Sequence, residues 1–214
     1  MEKPIFSCLL IMGLLGTAMS VVAHGHHEKV QTQAQRDAAN GIFEDKDVLN
    51  RSLSDWDGVW QSAEPYLLSG ELDPVLQKKA ETKKDKTVEE YRAYYAQGYK
   101  TDIDMIGIED NVIEFHQGEK IDSCEYHYDG YHILHYESGK KGVRYLFSCN
   151  DKQSQAPKFI QFSDHIIAPE KSEHFHLYMG NNSHKELFKE LNNWPTFYPY
   201  SMKGKDIVHE MLYH

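Results

Sequence analysis

Hydrophobic and polar residues alternate with a period of two from about residue 102 to residue 180, which predicts a series of β-strands. Turn residues such as Asp129-Gly130 and Ser138-Gly139 separate the alternating runs, and Asp-Gly between two such runs is a hairpin signal. The predicted strands are 103–109, 112–116, 120–128, 131–137, 143–149, 159–167 and 173–179. Because no helical pattern separates them, we expect an antiparallel meander that closes into a β-barrel.

Helical patterns lie before and after the strands. Residues 72–84 include Asp73-Pro74, and proline is favoured in the first turn of a helix. Residues 87–99 begin with Thr87, and Glu90 follows three positions later, which is the spacing of a capping box. Two short helices are predicted at 184–192 and 205–213, so the fold class is mainly β with flanking helices.

The first 23 residues have the pattern of a secretory signal peptide. Lys3 precedes an apolar run, and Val21-Val22-Ala23 supplies small residues before the expected cleavage point. The alternative is a membrane anchor, but the apolar run is shorter than the roughly 20 residues that a spanning helix needs. We interpret 1–23 as a signal peptide, 24–40 as a flexible His-containing leader, and 41–214 as a single domain that is exported to the periplasm and not inserted in the membrane.

Composition narrows the class of protein. The 214 residues carry 23 Lys and Arg against 33 Asp and Glu, a formal net charge of −10, and 12% are aromatic. This is the composition of a folded globular chain with one core. An acidic chain without a basic patch is not expected to bind nucleic acid. The chain has 13 histidines, and since histidine is the commonest metal ligand, this number directs attention to metal binding.

Two cysteines remain after the predicted cleavage, Cys124 and Cys149. In the alternating pattern Cys124 shares a face with Tyr126, and Cys149 shares a face with Tyr145, so both cysteines lie on aromatic faces. Cysteines of exported proteins usually pair, and the sequence therefore predicts a Cys124–Cys149 disulfide. The alternative is that the two thiolates are metal ligands.

Three histidines form the candidate metal site. His174 and His176 are two positions apart on a predicted strand and therefore point to the same face. A hairpin about Pro169 would place His165 across from His174, so that three imidazoles meet, as in tetrahedral zinc sites with an open fourth position. The alternative is that the three side chains lie on a solvent-exposed sheet face. The apolar residues on the opposite faces of these two strands are Ile160, Phe162, Ile166, Phe175, Leu177 and Met179.

The predicted mature chain begins with a separate cluster, His24, His26 and His27. A free amine, two amides and an imidazole at the third position form a square-planar set that suits Cu²⁺ or Ni²⁺. We treat these residues as an accessory metal site, with a disordered polar leader as the alternative. His127, His132 and His135 are interpreted as part of surface or partly buried tyrosine-rich packing.

Several stretches resemble the ZinT (YodA) family of bacterial periplasmic zinc-binding proteins. They are 50–62 (NRSLSDWDGVWQS), 101–109 (TDIDMIGIE), 141–147 (KGVRYLF), 162–169 (FSDHIIAP), 174–176 (HFH) and 193–196 (NWPT). The resemblance implies a calycin or lipocalin-like barrel with added helices, and a Zn²⁺ site made by His165, His174 and His176. It also implies binding of Cd²⁺ and other divalent metals, and a zinc chaperone that passes Zn²⁺ to the periplasmic binding component of a zinc ABC importer under zinc limitation.

Two other classes of function stay open at this point. Three histidines also hold zinc in hydratases and hydrolases that use metal-bound hydroxide, but no acid or base partner can be assigned. In an alternating strand Asp164 faces away from His165, and a cupin-type site would need an acidic residue where Met179 and Gly180 stand. The other class is a lipocalin-like carrier of a small ligand. We expect a metal-binding protein and not an enzyme.

Overall fold

Eight antiparallel strands close into a barrel in the computed structural model, which describes residues 31–213. Each strand pairs with the next, and β8 returns to pair with β1. The strands are β1 Gly58–Ser62, β2 Met105–Glu109, β3 Val112–Gln117, β4 Lys120–His135, β5 Lys141–Cys149, β6 Phe159–Ser163, β7 Phe175–Gly180 and β8 Thr196–Pro199. The predicted antiparallel barrel is therefore confirmed.

One predicted hairpin is wrong. The predicted strands 120–128 and 131–137 are a single strand, β4, whose pairing with β5 shifts register between Tyr128 and Gly130. Gly130 has a φ of 101°, which glycine adopts without strain, so Asp129-Gly130 forms a β-bulge instead of a turn. Both halves of β4 pair with the same long neighbour, and the chain reverses only after residue 135.

Two strands complete the barrel outside the alternating region. β1 contains Trp60, and neither β1 nor β8 is among the strands predicted from alternation. β8 has four residues, which is too short for alternation to be recognised. Its pairs Trp60↔Pro199 and Phe175↔Phe197 close the barrel between β1 and β7.

Six α-helices and two 3₁₀ turns surround the barrel within the described part of the chain. They are α1 Gln33–Ala39, α2 Glu64–Leu68, α3 Asp73–Lys83, α4 Val88–Tyr99, α5 His184–Leu187, α6 Gly204–Tyr213, and the turns Asp45–Asp47 and Leu53–Trp56. The predicted capping box is present, since the Glu90 amide donates to Thr87 Oγ1 at 3.1 Å and the Thr87 amide donates to Glu90 Oε2 at 2.7 Å. None of these helices is long and apolar enough to cross a membrane.

The structure describes only part of the N-terminal segment for which predictions were made. The signal peptide 1–23 and the histidines His24, His26 and His27 lie outside the described residues. The end of the predicted leader 24–40 forms helix α1, because Thr32 caps it and Gln35 completes a capping box. Helical structure is therefore present before residue 41.

Two apolar clusters lie on the two sides of the barrel wall. The interior is filled by large side chains, among them Trp56, Trp60, Tyr145, Phe147, Phe162, Phe175 and Phe197. Trp56 stacks on Phe162 with ring centroids 4.8 Å apart. The second cluster joins Tyr198 of β8 to the helices and includes Leu67, Leu76, Tyr91, Tyr95, Tyr99 and Ile207. A layer of helices thus covers one outer face of the wall.

A disulfide joins Cys124 of β4 to Cys149 of β5, as the sequence predicts, and both cysteines are buried in the interior cluster. The alternative in which these thiolates bind metal is therefore wrong. A bridge across a sequence separation of 25 restricts the unfolded chain, which is worth roughly 3 kcal/mol.

Replacing both cysteines with serine is expected to lower the free energy of unfolding by about 3 kcal/mol, because the unfolded chain regains its freedom. Urea denaturation of the oxidised protein and of the variant measures this difference. The reduced wild-type protein is the control and should match the variant. Equal stability of the oxidised protein and the variant would contradict the prediction, as would two free thiols in denatured, non-reduced protein.

Candidate metal centre

The rings of His165, His174 and His176 converge at one point, and one ligand atom from each lies within 4.8 Å of the others. His176 is the second residue of β7, and His174 immediately precedes that strand. The two share a face because side chains in extended backbone alternate. The residue between them, Phe175, is buried in the barrel interior. The histidines therefore lie on the outside of the barrel wall.

His165 reaches this point by a route that differs from the predicted one. Strand β6 ends at Ser163, which pairs with His176, so His165 does not pair with His174 across a hairpin. Its φ is 65°, in the left-handed region that non-glycine residues seldom adopt. The residue is exposed, whereas His174 is buried and His176 is half-buried. The loop after β6, and not strand register, sets the direction of its side chain.

A buried guanidinium holds this loop. Arg51 Nη1 lies 2.7 Å from Asp164 Oδ1, and both side chains are fully buried. The same guanidinium donates to Asp55 Oδ2 at 2.8 Å and to the Glu170 carbonyl oxygen at 2.7 Å. Its carbon lies 4.0 Å from the centroid of the Trp56 ring. Arg51 thus contacts the chain immediately before His165 and again at residue 170, which fixes the loop between them.

The imidazole of His174 is supported from behind by helix α6. Its Nδ1 lies 2.9 Å from Glu210 Oε1, and its ring stacks on Tyr198 with centroids 5.3 Å apart. Burial by itself would lower the pKa of His174, but the hydrogen bond and the charge of Glu210 outweigh burial and raise that pKa above its usual value. A carboxylate at Nδ1 fixes the ring orientation and makes the other ring nitrogen a stronger metal ligand.

The imidazole of His176 is oriented by a hydroxyl. Thr196 Oγ1 lies 2.8 Å from His176 Nδ1 and donates to the Trp194 carbonyl oxygen at 3.1 Å. A hydroxyl has one proton, so Thr196 must accept from an Nδ1–H of His176. That tautomer leaves Nε2 deprotonated, which is the form that binds a metal ion.

The three histidines line one end of a cavity of about 530 Å³ between the barrel wall and the helices. Aromatic residues form much of its lining, and among the described lining residues the carboxylate is Glu210. Among residues 31–213, His165, His174 and His176 are the one group of three or more metal-ligating side chains close enough to hold an ion. Three convergent imidazole nitrogens match the set of three histidine ligands that proteins offer to tetrahedral zinc.

The other predicted histidines have separate contacts. His132 stacks on Phe188 with centroids 4.1 Å apart, and His135 lies 3.9 Å from a carboxylate oxygen of Asp45. His127 is exposed on β4.

Sequence reasoning missed three contributors to the centre, which are Arg51, Thr196 and Glu210. Thr196 and Glu210 follow the histidines by 20 or more positions, and Arg51 precedes them by more than 100. No local pattern connects them to His165, His174 or His176. Asp164, to which the sequence analysis assigned no catalytic role, is the buried partner of Arg51.

Replacing Glu210 with glutamine is expected to weaken Zn²⁺ binding by about 10–100-fold, because the amide lacks the charge that holds His174. Competition with a zinc chelator measures the affinity. Glu186→Gln, which removes an exposed carboxylate paired with Lys189, is the matched control and should bind like wild type. Unchanged affinity in Glu210→Gln would show that the contact does not support the ligand.

Comparison with known proteins places this geometry in a family. Residues 34–214 match the profile of the ZinT (YodA) periplasmic lipocalin-like zinc-recruitment family. The chain is 48% identical over 174 residues to a probable metal-binding protein, YrpE, of Bacillus subtilis, across 81% of this chain and 69% of that protein.

A second relative is the zinc-binding lipoprotein AdcA of Streptococcus pneumoniae, which is 45% identical over 187 residues. The match covers 87% of this chain and 37% of that protein. The crystal structure of the Zn(II)-bound ZinT-like domain of Streptococcus pneumoniae AdcA superposes with a TM-score of 0.80 at 47% identity, across 82% of this chain and 97% of that domain. Zn(II)-bound AdcA itself gives a TM-score of 0.82 at 45% identity, across 87% of this chain and 40% of that chain.

Proposed function

We propose that this chain, which belongs to the ZinT (YodA) family, captures Zn²⁺ through His165, His174 and His176. The observation that carries the proposal is the convergence of the three ligand atoms within 4.8 Å. Glu210 and Thr196 engage the Nδ1 atoms of two of the rings, which directs their Nε2 atoms to a common ion. The zinc-binding relatives support the choice of metal.

Zinc is the ion that this ligand set fits best. Three imidazoles with a fourth position for water or another donor form a tetrahedral zinc site. Nitrogen ligands also bind Cd²⁺, Ni²⁺ and Cu²⁺. A given site generally has a higher affinity for Cu²⁺ than for Zn²⁺. We propose that scarcity of free copper and the tetrahedral arrangement favour zinc during function, with cadmium as an adventitious occupant.

The surroundings of the three histidines favour binding over catalysis. A hydratase or hydrolase needs a positioned acid or base beside the metal-bound water. Among the described residues that line the cavity, the carboxylate is Glu210, and it already contacts His174. A lipocalin-like carrier would hold its ligand inside the barrel, and here Trp56, Phe162 and Phe175 fill that interior.

We propose further that the protein acts outside the cytoplasm and passes its zinc to the binding component of a zinc ABC importer. The predicted signal peptide, 1–23, supports export, and the disulfide suits an oxidising compartment. Exposure of His165 supports transfer, because a ligand at the mouth of the site can be exchanged first. The leader histidines His24, His26 and His27 would supply an accessory site that captures metal without taking part in tight binding.

Metal analysis tests this function directly. Protein purified with neither added metal nor chelator should contain about one Zn²⁺ per chain. The variant in which all three histidines are alanine is the control and should contain none. The zinc-loaded protein should transfer its ion to the importer's binding component and should show no hydration of CO₂ and no ester hydrolysis. Metal-free wild-type protein that also fails to bind added Zn²⁺ would refute the proposal, and turnover of either substrate would favour the zinc enzyme.

A further inference from the structure

The cavity beside the three histidines carries an excess of positive charge. Lys79 of α3 and Arg144 of β5 both line it, whereas Glu210 is the carboxylate among the described residues of its lining. A bound Zn²⁺ would add two positive charges, because the three imidazoles are neutral when they bind a metal. The positive potential of the zinc-loaded cavity therefore favours the binding of an anion.

Lys79 is the cation that is available to such an anion. Its ammonium lies 5.9 Å from the centroid of the Tyr95 ring, and no ion pair of Lys79 occurs within residues 31–213. Burial, together with the neighbouring charge of Lys83, lowers the pKa of Lys79. An ammonium that is half-buried without a carboxylate is costly unless a partner binds it. An anion in the cavity would provide that partner.

Arg144 contributes charge and a fixed wall. Its guanidinium is buried and donates to the carbonyl oxygens of Leu187 and Glu190 at 2.7 and 2.6 Å. It also lies 3.4 Å from the centroid of the Tyr178 ring. Since these donors are already used, Arg144 raises the potential of the cavity but leaves direct contact with an anion to Lys79.

We propose that the cavity binds a small di- or tricarboxylate whose one carboxylate takes the fourth position on zinc and whose other end contacts Lys79. This inference rests on the proposed zinc site. Oxygen ligands are ordinary partners of zinc, and a carboxylate contact with lysine is a strong, charge-assisted interaction. The volume of about 530 Å³ falls within the range of small-molecule sites, and tyrosine rings such as Tyr94 and Tyr136 add hydroxyl groups to the wall.

Such a site changes what the protein captures. A cavity of this charge would accept a zinc ion together with a small anionic chelator. The carboxylate also completes the coordination of the ion without another protein ligand. Release would then require departure of the carboxylate from the ion.

Cobalt(II) provides the test, because its visible spectrum reports the ligands of a tetrahedral site that normally holds zinc. Wild-type protein is first titrated with Zn²⁺ and with Co²⁺, and the Co²⁺-loaded protein is then titrated with malonate. Malonamide, which has the same shape without the charges, is the comparison ligand. The variant is Lys79→Met, and Lys78→Met is its matched control because Lys78 is the exposed neighbour on the same helix.

We expect a saturable spectral change with malonate and none with malonamide. Lys79→Met should load Co²⁺ like wild type but bind malonate about tenfold more weakly, the cost of one charge-assisted contact. Lys78→Met should behave like wild type. Equal malonate affinity in Lys79→Met and wild type, or no spectral change in wild type, would overturn the carboxylate site while leaving the zinc site intact. Failure of wild type to bind Zn²⁺ or Co²⁺ would refute both.

Discussion

Replacement of His176 with alanine is expected to weaken Zn²⁺ binding by several orders of magnitude. The change removes one of three nitrogen ligands and leaves His165 and His174, too few for a stable tetrahedral site. It also leaves the Thr196 hydroxyl without the imidazole that it orients. Calorimetric titration of Zn²⁺ into metal-free protein, with a competing chelator, measures the loss. His174→Ala should give a loss of similar size.

The matched controls are His127→Ala and His135→Ala. Each removes an imidazole from β4 without touching the three proposed ligands, so the affinity for Zn²⁺ should stay within error of wild type. Metal-free His176→Ala should unfold at nearly the same urea concentration as metal-free wild type, because the barrel has its own aromatic core. If His176→Ala bound Zn²⁺ with wild-type affinity, the assignment of the three ligands would be wrong, and most of the proposed function would fail with it.

Replacement of Arg51 with methionine is expected to lower the free energy of unfolding by about 3–5 kcal/mol. Methionine fills much of the volume of arginine but leaves the fully buried carboxylate of Asp164 without its cation. The loop that carries His165 would also lose its contacts with Asp55 and the Glu170 carbonyl. We therefore expect weaker Zn²⁺ binding as well. Urea denaturation and chelator competition measure the two effects.

Arg92→Met is the matched control, because Arg92 pairs with Asp73 at the same distance, 2.7 Å, but both side chains are about 40% exposed. Exposed pairs contribute little, so this change should cost less than about 1 kcal/mol. The double variant Arg51→Met/Asp164→Leu separates loss of the pair from burial of a lone charge and should recover much of the stability. Equal losses in Arg51→Met and Arg92→Met would contradict the structural role of Arg51.

Local patterns were sufficient for much of the barrel. The period of two located strands β2 to β7, and Thr87 with Glu90 located the start of α4. Alternation placed Cys124 and Cys149 on interior faces, where they form the disulfide. These features depend on residues a few positions apart, or on the face of a strand that a side chain occupies. Both properties can be read from the order of residues in the sequence.

The same local reasoning failed at Asp129-Gly130. The dipeptide is compatible with a turn and with a bulge, and the choice depends on what the flanking segments can pair with. Strand β5 is long enough to pair with both halves of β4, so one continuous strand with a bulge is favoured over a hairpin. Strand β8 likewise exists because β1 and β7 each need a neighbour to close the barrel.

The candidate metal centre, too, could be predicted from the sequence only in part. Sequence alone determined that His174 and His176 share a face, because extended backbone alternates. Only the tertiary structure decided that this face is the outer one, since the choice depends on which side of the sheet packs the larger core. It also brought His165 into place through a left-handed loop residue and set Glu210 behind His174. Those contacts join segments far apart in the chain, and only the closing of the barrel and the packing of helices on its wall create them.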